Sequence, residues 1–151
     1  MIQSKGSCVE LIFSQYKKEN IMRSLIVDDD FFCRRILQTI LSSYGESHVA
    51  VDGKEALFAF EQAIAEEKPY DVICLDIMMP EMDGQEVLKE IRRIEASKNI
   101  FGNDCVKIIM TTALDDSENI KEAFREQCES YIIKPISKSK LMNALENLEL
   151  I

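Results

Sequence analysis

Five side chains suited to phosphoryl chemistry stand at the ends of four short apolar runs. Asp28 and Asp29 follow Leu25-Ile26-Val27, and Asp76 follows Val72-Ile73-Cys74-Leu75. Thr112 lies just past Lys107-Ile108-Ile109-Met110, and Lys134 follows Tyr131-Ile132-Ile133. Two carboxylates about 4 Å apart repel by roughly 4 kcal/mol at the effective dielectric of a protein surface, so three converging acids call for a cation. With hard oxygen donors the expected ion is Mg2+, which takes one or two carboxylates, keeps several waters and adds a phosphate oxygen. Such an ion neutralises charge on a transferring phosphoryl group. Asp76 can then act as nucleophile, since carboxylates form acyl phosphates, with the Lys134 ammonium facing the phosphoryl oxygens.

These side chains meet only if their strands end on one edge of a sheet, as they do in a parallel α/β fold. Residues 23–149 alternate strand and helix five times. The strands are predicted at 23–28, 47–51, 71–76, 105–111 and 130–134, and the helices at 31–43, 53–67, 84–97, 116–127 and 138–149. Val87, Ile91 and Ile94, then Leu141, Leu145 and Leu148, have the spacing of a buried helix face. Asp52 with Glu55, and Asp115 with Glu118, have capping-box spacing, and Ser137 suits a cap after Pro135. Near-continuous apolar strands separated by helices imply a parallel sheet covered on both faces. Five such units predict the flavodoxin-like doubly wound (βα)5 sandwich, strand order 2-1-3-4-5, with Asp28, Asp29 and Asp76 at its switch point between strands 1 and 3.

The rest of the composition narrows the function by exclusion. A chain of 151 residues is one domain with at most a short appendage, here a domain at 23–151 and an N-terminal extension at 1–22. Within the extension Val9, Ile12, Phe13 and Tyr16 fit one short amphipathic helix, although a frayed leader is the plainer reading. The net charge of −9 argues against direct nucleic-acid binding. No run is long enough for a membrane span and no signal-peptide core is present, so a cytoplasmic protein is expected. Cys8, Cys33, Cys74, Cys105 and Cys128 form neither a disulfide framework nor a zinc site, and Cys74 and Cys105 read as core. The lone His48 reads as a surface strand residue rather than a catalyst.

The blocks VDDDFFCRR at 27–35, LDIMMPEMDG at 75–84, IIMTTA at 108–113 and SYIIKP at 130–135 resemble, in order and spacing, the landmarks of the response regulator receiver domain of two-component signalling. The resemblance covers about 127 residues, from Arg23 to Glu149. It implies a stand-alone, chemotaxis-regulator-like phosphoacceptor that assists its own phosphorylation and dephosphorylation rather than an enzyme. Asp76 would be the phosphorylated residue. Asp28, Asp29, Asp76 and the backbone carbonyl of Met78 would bind Mg2+. Thr112, preferred over Thr111 because it directly precedes Ala113, would hydrogen-bond the phosphoryl group, and Lys134 would pair with it. The resemblance further implies a cis bond before Pro135, a turn proline at Pro80 and a loop glycine at Gly84. Tyr131 matches the aromatic that swings inward when Thr112 moves, reshaping the face of helix 4, strand 5 and helix 5. The implied donor is a histidine kinase or a histidine phosphotransfer protein, and the output is contact with an unknown protein target, since little chain follows the last helix. That face and the 9–16 stripe are candidate homodimer surfaces.

Several positions depart from the pattern. Met78 and Leu114 are apolar where many receivers are polar, flanking the water that hydrolyses the aspartyl phosphate, which predicts slow self-dephosphorylation. Gln127 stands where a glycine commonly ends helix 4. Ser97 to Asp104 reads as a longer surface loop. Taken singly, Asp28 to Asp30 could cap a helix, Asp76 could open a loop, and Lys134 could be a solvated strand end; together they would require five coincidences at one edge. A phosphohydrolase would carry a second acid where Met78 stands, and a flavodoxin-like cofactor binder would need a phosphate loop in place of Asp-Asp-Asp. The remaining alternative is a receiver-fold docking module that acts without phosphorylation.

Overall fold

The computed structural model describes residues 22–113 and 117–151. The extension read at 1–22 therefore lies outside the described residues except for Met22, as do Leu114 and the Asp115 cap. The apolar runs form strands β1 Ser24–Val27, β2 Ser47–Ala50, β3 Val72–Asp76, β4 Lys107–Thr112 and β5 Ser130–Ile133. Between and after them run helices α1 Phe31–Leu41, α2 Gly53–Ala65, α3 Gly84–Ser97, α4 Ser117–Arg125 and α5 Lys138–Asn147. All pairings are parallel, in the order β2-β1-β3-β4-β5. This is the flavodoxin-like arrangement that the sequence predicts.

Side-chain alternation sorts the strands between two cores. Leu25, Ile73, Leu75, Ile108 and Met110 pack beneath α2, α3 and α4 against Phe60, Leu88, Ile91 and Ala123. Ile26, Cys74, Ile109 and Ile132 pack beneath α1 and α5 against Leu37, Leu41, Leu141 and Leu145, with Met22 closing the same layer. Every residue of β1 and β3 is buried, which is why those strands carry no polar alternation.

Helix starts follow side-chain caps. Asp30 accepts from the N–H groups of Phe32 and Cys33, Asp52 from Glu55, Asp83 from Glu86 and Ser137 from Lys140. Helix ends come earlier than the periodicity predicts at four of the five helices, by two residues each. Three of these, and α3 as well, share a cause. Glu67, Asn99, Gln127 and Glu149 adopt φ between 58° and 73°. Each donates to the carbonyl three residues back, and the next residue donates to the carbonyl five back, as in Lys68 to Ala63 (2.9 Å) and Cys128 to Ala123 (3.0 Å). That is a Schellman stop, normally signalled by glycine. The segment Ser97 to Asp104 is exposed as expected but holds a 3-10 turn at Gly102–Asp104. Cys74 is core, whereas Cys105 is only half-buried, because its thiol faces the Ile100 carbonyl in that same surface segment; Cys128 is buried in its place.

At the amino-terminal edge, Arg92 of α3 ties three elements together. It donates to Glu95 (2.6 Å), to Glu129 (3.0 Å) and to the carbonyls of Val106 and Gln127. Glu95 and Glu129 in turn accept from the N–H groups of Val106 and Ile108.

Candidate functional site

At the opposite, carboxyl edge the loop after β1 divides three adjacent acids among different tasks. Asp30 caps α1, so it is spent on helix geometry. Its own N–H donates to Asp28 Oδ1 at 2.8 Å, which turns the fully buried Asp28 carboxylate into the cleft. Asp29 remains exposed at the mouth. Asp76 ends β3 with 3% exposure, and its Oδ1 accepts from the Met78 N–H at 3.3 Å. One carboxylate oxygen from each of Asp28, Asp29 and Asp76 lies within 4.8 Å of the others.

Lys134 closes the cluster from β5. Its backbone N–H donates to the Thr112 carbonyl at 2.6 Å, and its peptide bond to Pro135 is cis, as the resemblance implies. Its ammonium sits 2.9 Å from Asp28 Oδ2 and 3.5 Å from Asp76 Oδ1. The primary ion-pair partner is therefore Asp28, with Asp76 second. Thr112 ends β4 in a buried position beside these residues. Gly84 opens α3 against the β3 turn: a Cβ there would lie 2.8 Å from the Ile77 Cα and collide with the Asp76 carbonyl. Pro80 sits in the same turn, its carbonyl accepting from Met82.

The charges are unevenly held. Burial first, and then the charge of Asp28, push the Asp76 carboxyl up to about 7, against Lys134 and the Met78 N–H. Burial works to lower the Lys134 ammonium, but the hydrogen bond to Asp28 and the charge of Asp76 outweigh it and leave it above its ordinary value. Three acids facing one lysine leave surplus negative charge in a set of hard oxygen donors, so the residues fit a divalent cation such as Mg2+. Asp28, Asp29 and Asp76 would supply its carboxylates, and the Met78 peptide, whose N–H reaches Asp76, lies at their edge.

Tyr131 and His48 lie outside the cluster, and the Met78 side chain turns to solvent. Tyr131 is 40% exposed and stacks edge-to-face on Phe124 at 5.9 Å, its ring turned out from the sheet. His48 is the second residue of β2, half-buried between the Tyr70 hydroxyl (2.6 Å) and Glu46 (2.8 Å), a structural bridge outside the acidic cluster. Met78 is 64% exposed, so the mouth is apolar on that side. Two neighbours of the site are not evident from residue type alone. Arg34 donates to the Asp28 carbonyl at 2.9 Å. Cys33 stands beside Lys134, its thiol pushed up by burial despite that charge. A signal for Cys33 does exist: it begins the inward stripe Cys33, Leu37, Leu41, which puts it at the cleft end of α1.

The family model described as the response regulator receiver domain matches residues 24–146. The probable transcriptional regulator ycf27 of Guillardia theta is 42% identical over 138 residues, covering 91% of this chain and 47% of that protein. The chain thus spans about half the length of that relative. The chemotaxis protein CheY of Thermotoga maritima is 33% identical over 128 residues, covering 83% of this chain and 96% of that one. Among solved structures, the CheX–CheY–BeF3–Mg2+ complex from Borrelia burgdorferi matches with a TM-score of 0.74 at 25% identity, over 90% of this chain and 95% of that chain. The receiver domain of the histidine kinase CKI1 from Arabidopsis thaliana, complexed with Mg2+ and BeF3−, matches with a TM-score of 0.71 at 30% identity, over 85% and 89% of the two chains.

Proposed function

This chain belongs to the response regulator receiver domain family, and from that membership we propose that it accepts a phosphoryl group on Asp76 and relays the event through its α4–β5–α5 face. The donor is a phosphohistidine on a histidine kinase or phosphotransfer protein. The P–N bond of the donor breaks as an oxygen of Asp76 bonds to phosphorus, and the freed imidazole takes a proton. Mg2+ held by Asp28, Asp29, Asp76 and the Met78 carbonyl would neutralise charge on the transferring group. Lys134 moves its ammonium onto the phosphoryl oxygens while keeping Asp28 paired, and the Thr112 hydroxyl donates to the same group. Drawing Thr112 inward leaves room for the Tyr131 ring, which now lies outside against Phe124. The added group brings close to two negative charges and three acceptors, a sufficient local cause for such a shift. The chain is a phosphoacceptor that assists its own modification, not a turnover enzyme, and its output is contact with another protein.

The observation that carries this reading is the Lys134 ammonium lying between Asp28 and Asp76 at the switch point of the sheet, with a third carboxylate at hand. The test is labelling by phosphoramidate. Label should appear only with Mg2+ and vanish in Asp76→Asn. Label that persists in that variant, or that forms equally in EDTA, refutes the assignment.

A further inference from the structure

β4 ends in two threonines, and the reading above uses only the second. Thr111 is 1% exposed, and its hydroxyl has no hydrogen-bond partner among the described residues. Leaving a buried hydroxyl unpaired is unfavourable, and valine would fill the same space without that penalty. The position therefore asks what the oxygen is for.

Strand alternation and register locate it. Thr111 shares a face with Ile109, Asp76 with Cys74 and Asp28 with Ile26. Ile109, Cys74 and Ile26 all belong to the core beneath α1 and α5. Thr111 is also the direct register partner of Asp76. Asp28, Asp76 and Thr111 thus form one row on one face of the sheet, and Thr111 stands a strand spacing, about 4.8 Å, from the phosphoacceptor. Thr112, one residue on, has the opposite parity and approaches from the α2–α4 side.

We propose that Thr111 is a positioning residue for Asp76, its Oγ1–H donating to the carboxyl oxygen that does not take the phosphoryl group. This rests on the reading of Asp76 as phosphoacceptor. When one Asp76 oxygen bonds to phosphorus, the other becomes a carbonyl oxygen, and a turn of the carboxyl group towards β4 brings it within reach of the hydroxyl. The donated hydrogen bond fixes which oxygen attacks. Thr112 serves the phosphoryl group and Thr111 serves the carboxylate, from opposite faces of one strand.

The experiment compares wild type, Thr111→Val, Thr111→Ala and Thr111→Ser in phosphoramidate labelling with Mg2+, alongside metal-free melting curves and the 13Cγ shift of Asp76 with Mg2+ and beryllofluoride bound. Loss of the bond that orients the reacting carboxyl should slow labelling about ten-fold or more in the Val and Ala variants, with Ser within about three-fold of wild type. The valine variant should melt no lower than wild type, and the Asp76 carboxyl shift should move in Val and return in Ser. Wild-type labelling in Thr111→Val, or an unmoved carboxyl shift, overturns the proposal, as does a serine variant as slow as valine. A wild-type chain that takes no label at all overturns the phosphoacceptor reading, and this proposal falls with it.

Discussion

Replacing Asp76 by asparagine should make the metal-free protein more stable even as it removes the phosphoacceptor. The carboxylate is 3% exposed, has those of Asp28 and Asp29 within 4.8 Å, and is pushed up to about 7 from an ordinary 3.8, chiefly by burial and then by Asp28. The folded state therefore holds a proton that the unfolded chain gives up. Below the unfolded value both states are protonated and the group contributes nothing. As pH rises from 3.8 towards about 7 the unfolded chain ionises first, so stability falls, and above about 7 the full penalty stands. At about 1.4 kcal/mol per pKa unit the penalty is about 4 kcal/mol. Asparagine removes the charge but also forfeits the attraction of Lys134 at 3.5 Å. About half the penalty, about 2 kcal/mol, is then the expected gain near pH ~8, a rise in Tm of about 4–8 °C for a domain of this size.

The assay is thermal and urea melting of both proteins in EDTA, near pH ~4 and near pH ~8, repeated with saturating Mg2+. The advantage of Asp76→Asn should be close to zero at the lower pH and appear at the higher. It should shrink with Mg2+, because an ion that binds the wild-type cluster stabilises the folded state by mass action. A variant no more stable than wild type near pH ~8 without metal would refute the reasoning. So would an equal gain at both pH values, which would trace it to packing and not to ionisation.

Four further outcomes can be measured, three from the structure and the last from the sequence. Lys134→Met leaves the buried Asp28 carboxylate without the cation 2.9 Å away; it should cost about 3 kcal/mol in metal-free urea melts and tighten Mg2+ binding in calorimetry. Arg92→Met strands Glu95, which is 2% exposed, and frees the ends of α3 and α4; the expected loss is about 3–5 kcal/mol by urea melting. Gln127→Gly relieves a side chain at φ 73° while keeping the carbonyl that Arg92 uses; it should add about 0.5–1 kcal/mol. Met78→Asn combined with Leu114→Glu should shorten the lifetime of the aspartyl phosphate several-fold by admitting and orienting water, and an unchanged lifetime in a label-chase experiment would remove the case for apolar shielding.

The fold was legible because burial on both faces forces β1 and β3 to be apolar throughout, and because helices such as α2 and α5 start at a capping side chain. The helix ends were not, and Glu67, Gln127 and Glu149 explain why. Their left-handed conformation is imposed by the paired Schellman hydrogen bonds and the chain's return to the sheet, with no glycine to announce it. Periodicity accordingly runs on to the very residue where the backbone reverses. The Arg92 network was hidden for another reason. Its acceptors at 95, 106, 127 and 129 come from three elements, and only tertiary contact tells this arginine from the solvated Arg93 beside it.

The site itself was readable to the level of the residue but not of the atom. Three successive aspartates at 28, 29 and 30 look interchangeable in a sequence, yet one backbone turn makes them unequal. Asp30 must cap α1 because its oxygen reaches the N–H groups of Phe32 and Cys33. Capping fixes the Asp30 backbone so that its own N–H meets Asp28 Oδ1 at 2.8 Å. The other Asp28 oxygen is thereby presented to Lys134, which explains why the lysine lies closer to Asp28 than to Asp76. The cap of α1 and the orientation of the Asp28 carboxylate thus share one residue, Asp30. Asp30→Ala should accordingly weaken Mg2+ binding although Asp30 is not among the three clustered carboxylates. If Mg2+ affinity is unchanged in a variant whose helix is measurably frayed by hydrogen exchange, the two functions of the loop are separable and the coupling argument fails.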